Sequence, residues 1–156
     1  MKELFLTSVF TVLALSGFTQ QRVSTFQNAI EGGIRIQNLD SLYKPALSGG
    51  ADSLQAVFYG KQTEFQKQYI ALLQAFGKHL KANNFSWGKK TRCFNRIYFN
   101  EHGRIDYFLF NFQPGELSHE NEKQFKKLLT TFIEDYKFPL PAQSKFAQCS
   151  PVIYND

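Results

Sequence analysis

The side chains able to do chemistry are few and scattered. Three histidines stand at His79, His102 and His119, and none falls in HExxH or another spacing that holds a metal ion. Surface and capping roles are the plainer reading of all three. Cys93 and Cys149 are the two cysteines, too far apart for a CxxC redox pair. Gly32-Gly33 and Gly49-Gly50 sit in neither GxGxxG nor GxxxxGK[ST], so no phosphate loop is visible. Glu101, His102 and Asp106 are close enough in sequence to serve as acid, base and orienter. General acid–base work needs a dry, shaped pocket, however, and these residues read as a wet turn. Glu116, Glu120 and Glu122 read as charges at a helix start, where the dipole favours anions. No catalytic residue, cofactor or metal is therefore expected.

One stretch stands above this background. Between Glu64 and Glu101 there is no acidic residue, while Lys67, Lys78, Lys81, Lys89, Lys90, Arg92 and Arg96 lie inside, with Phe85, Trp87 and Phe94 interleaved. Cations beside aromatic rings bind anionic glycans, lipid heads or single-stranded nucleic acid. Lys89, Lys90, Arg92, Arg96 and Trp87 are the candidate binding residues. The competing reading is a solvated connection whose aromatics turn inward.

The start of the chain decides among those ligands. Lys2 precedes an apolar run from Leu4 to Leu15, and Ser16, Gly17 and Thr19 follow. That layout is a secretory signal peptide over 1–19, cleaved after Thr19, since a spanning helix needs about 20 apolar residues. The expected product is exported, periplasmic or extracellular, and not an integral membrane protein. Nucleic acid then becomes the least expected partner of a chain whose net charge is +5, and acidic proteins, glycans or lipid heads the most. Export also makes a Cys93–Cys149 disulfide the preferred reading over two free thiols. It would contribute about 4 kcal/mol in the chain-entropy description.

Residues 20–60, punctuated by glycines and by Lys44-Pro45, read as an irregular segment. Over 61–84 Phe65, Tyr69, Leu72, Leu73, Phe76 and Leu80 recur at spacings of three and four, which predicts an amphipathic helix. Two strands flank the turn Asn100-Glu101-His102-Gly103, from Phe94 and from Arg104 to Phe112, and make a hairpin. The second strand is apolar on both sides: Ile105, Tyr107 and Leu109 on one, Phe108, Phe110 and Phe112 on the other. Both faces need cover. Ser118 caps a predicted helix over 119–136, whose apolar face is Phe125, Leu128, Leu129, Phe132, Ile133 and Tyr136. Residues 145–154 form a last strand, and Pro151 within it points to an edge.

From Arg92 to Tyr154 the order is thus strand, Gly turn, strand, helix, strand. The hairpin FNEHGRID, the amphipathic helix running into Tyr136-Lys137-Phe138-Pro139, and the final apolar strand together resemble the C-terminal domain of TonB-type energy transducers. That resemblance implies a ββαβ scaffold that accepts a peptide strand at its sheet edge. The chain departs from the family in lacking a proline-rich spacer, having five prolines in all, so energy transduction is not implied. The expected fold is α+β: a three-stranded antiparallel sheet spanning 92–154, with helix 119–136 on one face and helix 61–84 on the other. The expected role is a non-catalytic envelope protein that binds a protein or peptide, with binding of anionic glycan or lipid as the alternative.

Overall fold

A computed structural model describes residues 22–48 and 54–156; the expected leader over 1–19 lies outside the described residues. The hairpin forms the middle of the fold. Strands β3 (Thr91–Phe99) and β4 (Ile105–Phe112) pair antiparallel. Their turn is held by Asn100, whose Oδ1 accepts the main-chain N–H groups of His102 at 3.1 Å and Arg104 at 3.0 Å. Gly103 completes it at φ +78°, where a side chain is strained. Helix α4 (His119–Asp135) then crosses over, and β5 (Phe146–Tyr154) returns antiparallel along the far side of β3. Ser118 caps α4 through its Oγ, which accepts the Asn121 N–H at 3.2 Å.

The sheet is not the three-stranded antiparallel one that the sequence predicts. It has five strands in the order β1-β4-β3-β5-β2 and is mixed. β1 (Val23–Thr25) lies parallel beside β4, and β2 (Lys44–Pro45) lies parallel beside β5. Both come from the segment expected to be irregular, which also forms α1 (Phe26–Glu31) and α2 (Ile36–Leu42). Strands of three and two residues are too short to display an alternation, and only their neighbours make them strands.

Helix α3 (Gln62–Ala82) forms where its apolar stripe predicts, but not on the predicted face. It packs beside α4 on the same side of the sheet: the Phe76 ring centroid is 5.4 Å from that of Phe125 and 5.1 Å from that of Phe132. Between these helices and the sheet lie Ile97, Phe99, Ile105, Phe108, Phe110, Phe146 and Tyr154, all buried. α1 and α2 cover part of the opposite face, packing Ala29, Leu39 and Tyr43 against Tyr98 and Leu109. Both sides of β4 are covered, as its composition requires. The cover comes from the N-terminal segment rather than from α3.

A β-bulge changes the face assignment within β4. Tyr98 pairs with Tyr107 but Phe99 pairs with Ile105, so Asp106 is an extra residue opposite the end of β3. The extra residue shifts the alternation by one. Ile105 therefore joins Phe108, Phe110 and Phe112 in the large core, apart from Tyr107 and Leu109.

The register also corrects the disulfide. Cys149 pairs with Arg96, three residues along β3 from Cys93. Successive side chains point to opposite faces, so Cys93 lies with Ile97 and Phe99 against the helices and Cys149 lies on the other face. Both thiols are free, Cys93 buried and Cys149 exposed.

Candidate binding surface

The three histidines stand on separate elements. His79 on α3 shares a 3.2 Å hydrogen bond with the Thr131 hydroxyl of α4. His102 is exposed at the hairpin tip and His119 is exposed at the first residue of α4. The Asp106 carboxylate accepts hydrogen bonds from the Tyr43 hydroxyl at 2.7 Å and the Asn100 amide at 3.1 Å. It fastens the end of α2 to the bulge. Burial pushes the Cys93 thiol up to about 12, far from a thiolate nucleophile. Burial also raises the Cys149 thiol, and the Arg96 guanidinium opposes that rise. Among the described residues no group of three His, Cys, Asp or Glu side chains is arranged to hold a metal ion.

The basic–aromatic residues fall into two sets. Trp87 is buried and stacks on Tyr154 with centroids 4.6 Å apart and planes 6° from parallel. Phe85 is buried beside it at 4.8 Å. These two rings close the end of the core between α3, α4 and β5. Lys89 donates from Nζ to the Gly115 carbonyl at 3.1 Å, and Lys90 is exposed. Arg92 and Arg96 stand on the face of β3 that α1 and α2 cover in part. Arg96 reaches Asp40 of α2 at 2.8 Å, and the Tyr98 hydroxyl donates to the other oxygen of that carboxylate at 3.1 Å. Arg96 is thereby a fastener of α2. Arg92 lies 3.5 Å from Glu116, with its side chain 68 % exposed against 12 % for the carboxylate.

The loop carrying Trp87 is latched by one acidic residue. The Asp156 carboxylate accepts the Trp87 N–H at 2.8 Å, the Gly88 N–H at 3.0 Å and the Ser86 hydroxyl at 3.0 Å. These donors, the Trp87 N–H foremost, hold its pKa below the ordinary 3.8. A carboxylate with a depressed folded-state pKa adds stability above its unfolded pKa, and that stability is lost as pH falls through the folded value. Denaturant midpoints measured down through pH 4 and below should therefore fall more steeply for the wild type than for Asp156→Asn. Parallel pH profiles would show the latch to be without effect.

The side of the sheet bearing α1 and α2 is only partly roofed. Toward the start of β3 and the end of β5 it presents Phe94, 40 % exposed, Ile153, 62 % exposed, and Pro151, also exposed. Phe26 of α1 borders this strip, its ring edge-on to Phe94 at 6.1 Å. A hollow of about 430 Å³ lies here, with Phe94, Pro151 and Ile153 in its lining and Arg92, Asn111 and Gln113 supplying polar groups. A second hollow of about 270 Å³ lies farther along, between α2 and β5 at Arg96 and Cys149.

The same strand has main-chain groups to spare. Lys44 N–H donates to Lys145 O at 3.1 Å and Ala46 N–H to Ala147 O at 2.8 Å. Odd-numbered residues of β5 thus turn their N–H and C=O outward, and even-numbered ones bond β3. Pro151 is odd-numbered, so its missing N–H costs the β3 ladder nothing. Among the described residues no strand pairs with β5 beyond Ala147 on that side. The outward groups of Cys149, Pro151 and Ile153 remain, although Cys149 O accepts from the Gln148 amide at 3.0 Å.

Of this surface, sequence reading reached Arg92 and the edge position of Pro151. It missed that Phe94, Pro151 and Ile153 converge. The available signal was that Phe94 lies two residues from Arg92 and so shares its face.

Fold and surface together define an α+β protein with a mixed sheet and a partly unroofed face. Compared with known proteins, the chain matches no protein family, no curated protein and no solved structure.

Proposed function

We propose that this chain is a non-catalytic exported protein of the cell envelope, periplasmic or extracellular, that binds a segment of another protein on the strip formed by Phe94, Pro151 and Ile153. The carrying observation is the exposure of these three apolar side chains around a hollow, on the sheet face that α1 and α2 cover only in part. Apolar side chains gathered in this way mark interaction sites when they are contiguous. The resemblance to TonB-type C-terminal domains implies docking by strand addition along the sheet edge. Pro151 argues for a different mode, because an added strand would find no donor there. Side-chain docking on the face, with the edge as a border, fits the geometry better.

The test compares the wild type with Phe94→Ser/Ile153→Ser in cross-linking and pull-down from the envelope at physiological salt. Both positions are exposed, Phe94 at 40 % and Ile153 at 62 %, so folding should survive, as circular dichroism and a thermal melt would verify. A specific partner captured by the wild type and lost from the double variant is the expected result. Equal capture by both proteins rules out this strip. Anionic glycan or lipid binding remains the alternative, and it would rest on the exposed Lys90 and Arg92. Trp87 lends it no stacking face, being buried against Tyr154.

A further inference from the structure

The unroofed strip is charged at one end. Where β3 begins, Lys90 is exposed and takes part in no hydrogen bond or ion pair among the described residues. Lys89 gives its ammonium to a neutral carbonyl, that of Gly115, at 3.1 Å. Arg92 holds Glu116 only at 3.5 Å and keeps 68 % of its side chain exposed. Arg92 is the cation that lines the hollow; its guanidinium stays largely exposed beside Glu116, and Lys90, two residues before it in the chain, adds an exposed ammonium. Inside the hollow the lining is apolar, from Phe94, Pro151 and Ile153, with the carboxamides of Asn111 and Gln113 on the β4 side. An exposed guanidinium lining an apolar hollow forms a complementary seat for a carboxylate carried next to a bulky apolar group.

We infer that the docked segment is an acidic peptide stretch of a partner protein: a carboxylate meets Arg92 and Lys90 while a neighbouring large apolar side chain enters the hollow on Phe94, Pro151 and Ile153. This rests on the docking reading above and specifies its chemistry. A lipid surface fits less well, since adsorption to a bilayer favours several cations spread over a broad face. Here a single guanidinium, that of Arg92, lines the hollow and has Glu116 beside it.

The experiment pans a random-peptide display library against the purified wild-type protein. It then measures synthetic copies of the enriched peptides against Lys90→Glu/Arg92→Glu and against Phe94→Ser/Ile153→Ser. Enriched sequences should pair Asp or Glu with Phe, Leu, Ile or Trp. Their affinity should fall about tenfold or more on the charge-reversed protein, as for loss of charge-assisted hydrogen bonds, and should weaken with added salt. Exchanging the peptide's acidic residue for Lys should restore binding to the charge-reversed protein, a rescue that misfolding cannot mimic. Peptides that lack acidic residues, or that ignore the charge reversal, overturn the inference while leaving docking at Phe94 intact. Peptides indifferent to Phe94→Ser/Ile153→Ser overturn the docking reading itself. Failure to enrich any peptide, together with Arg92-dependent co-sedimentation on phosphatidylglycerol vesicles, assigns the surface to lipid and overturns both.

Discussion

Phe125→Ala is expected to cost about 3–5 kcal/mol, the range for removing a fully buried ring. Phe125 on α4 is 0 % exposed. Its ring lies 5.0 Å from that of Phe110, 5.2 Å from Phe112, 5.4 Å from Phe76 and 5.6 Å from Trp87. One side chain thus joins α4 to β4, to α3 and to the 84–88 loop. Edge-to-face pairs of this kind add about 0.5–1.5 kcal/mol each beyond area burial. The surrounding rings belong to three different elements and cannot all collapse into the void. Domains of this size have about 5–15 kcal/mol in total, so the variant should be marginal at ambient temperature. Urea unfolding followed by tryptophan fluorescence gives the number, and Phe125→Leu should recover a good part of it. A loss under about 1 kcal/mol would contradict the position of α4 described above, because a ring that costs so little is not in a packed core.

Gly103→Ala is the second large effect, and its mechanism is different. The residue has φ +78°, which alone costs a side chain about 1–2 kcal/mol. In addition a Cβ here would be driven into the carbonyl oxygen of Phe138. The two backbones approach because Phe138 N–H donates to Gly103 O at 2.8 Å, next to a bridge between Arg104 and Lys137. Relieving the clash means parting the hairpin tip from the 136–138 segment and unseating Phe138, which is buried against Phe65 and Phe99. Gly115→Ala supplies the control. Gly115 has the same φ of +78° with no atom near its absent Cβ, so it should lose only the conformational share. Thermal melts of the two variants separate the terms: Gly103→Ala should lie well below Gly115→Ala. Equal melting points would mean that the tip and the 136–138 segment do not touch.

Much of the fold was legible because local periodicity is a property of the chain itself. The stripe from Phe65 to Leu80 forms α3, and Ser118 with its acidic first turn starts α4. Asn100 and Gly103 specify a tight turn, and Pro151 tolerates only an outward-facing position in β5. What stayed illegible depends on partners distant in sequence. Val23–Thr25 and Lys44–Pro45 become strands only because β4 and β5 offer free edges to them. Asp106 reads as one residue of an alternating strand, yet the bulge it creates moves Ile105 to the other face.

The binding surface divides the same way. Clustering of cations and aromatics around 85–96 is a sequence property, and it drew attention to Arg92 among others. Which of those residues meets solvent is not. Trp87 turns into the core because Tyr154, far along the chain, provides a ring to stack on. Arg96 is taken by Asp40 of a helix that the sequence did not announce.

By itself, then, the sequence determined where the long helices and the hairpin lie, since side-chain spacing and turn chemistry act within a few residues. Tertiary structure alone decided that α3 and α4 share one face, that the two thiols lie on opposite faces, and that Phe94, Pro151 and Ile153 gather in the open. Those outcomes follow from strand register and from competition among apolar surfaces for the same sheet. Register and competition act between segments rather than within them.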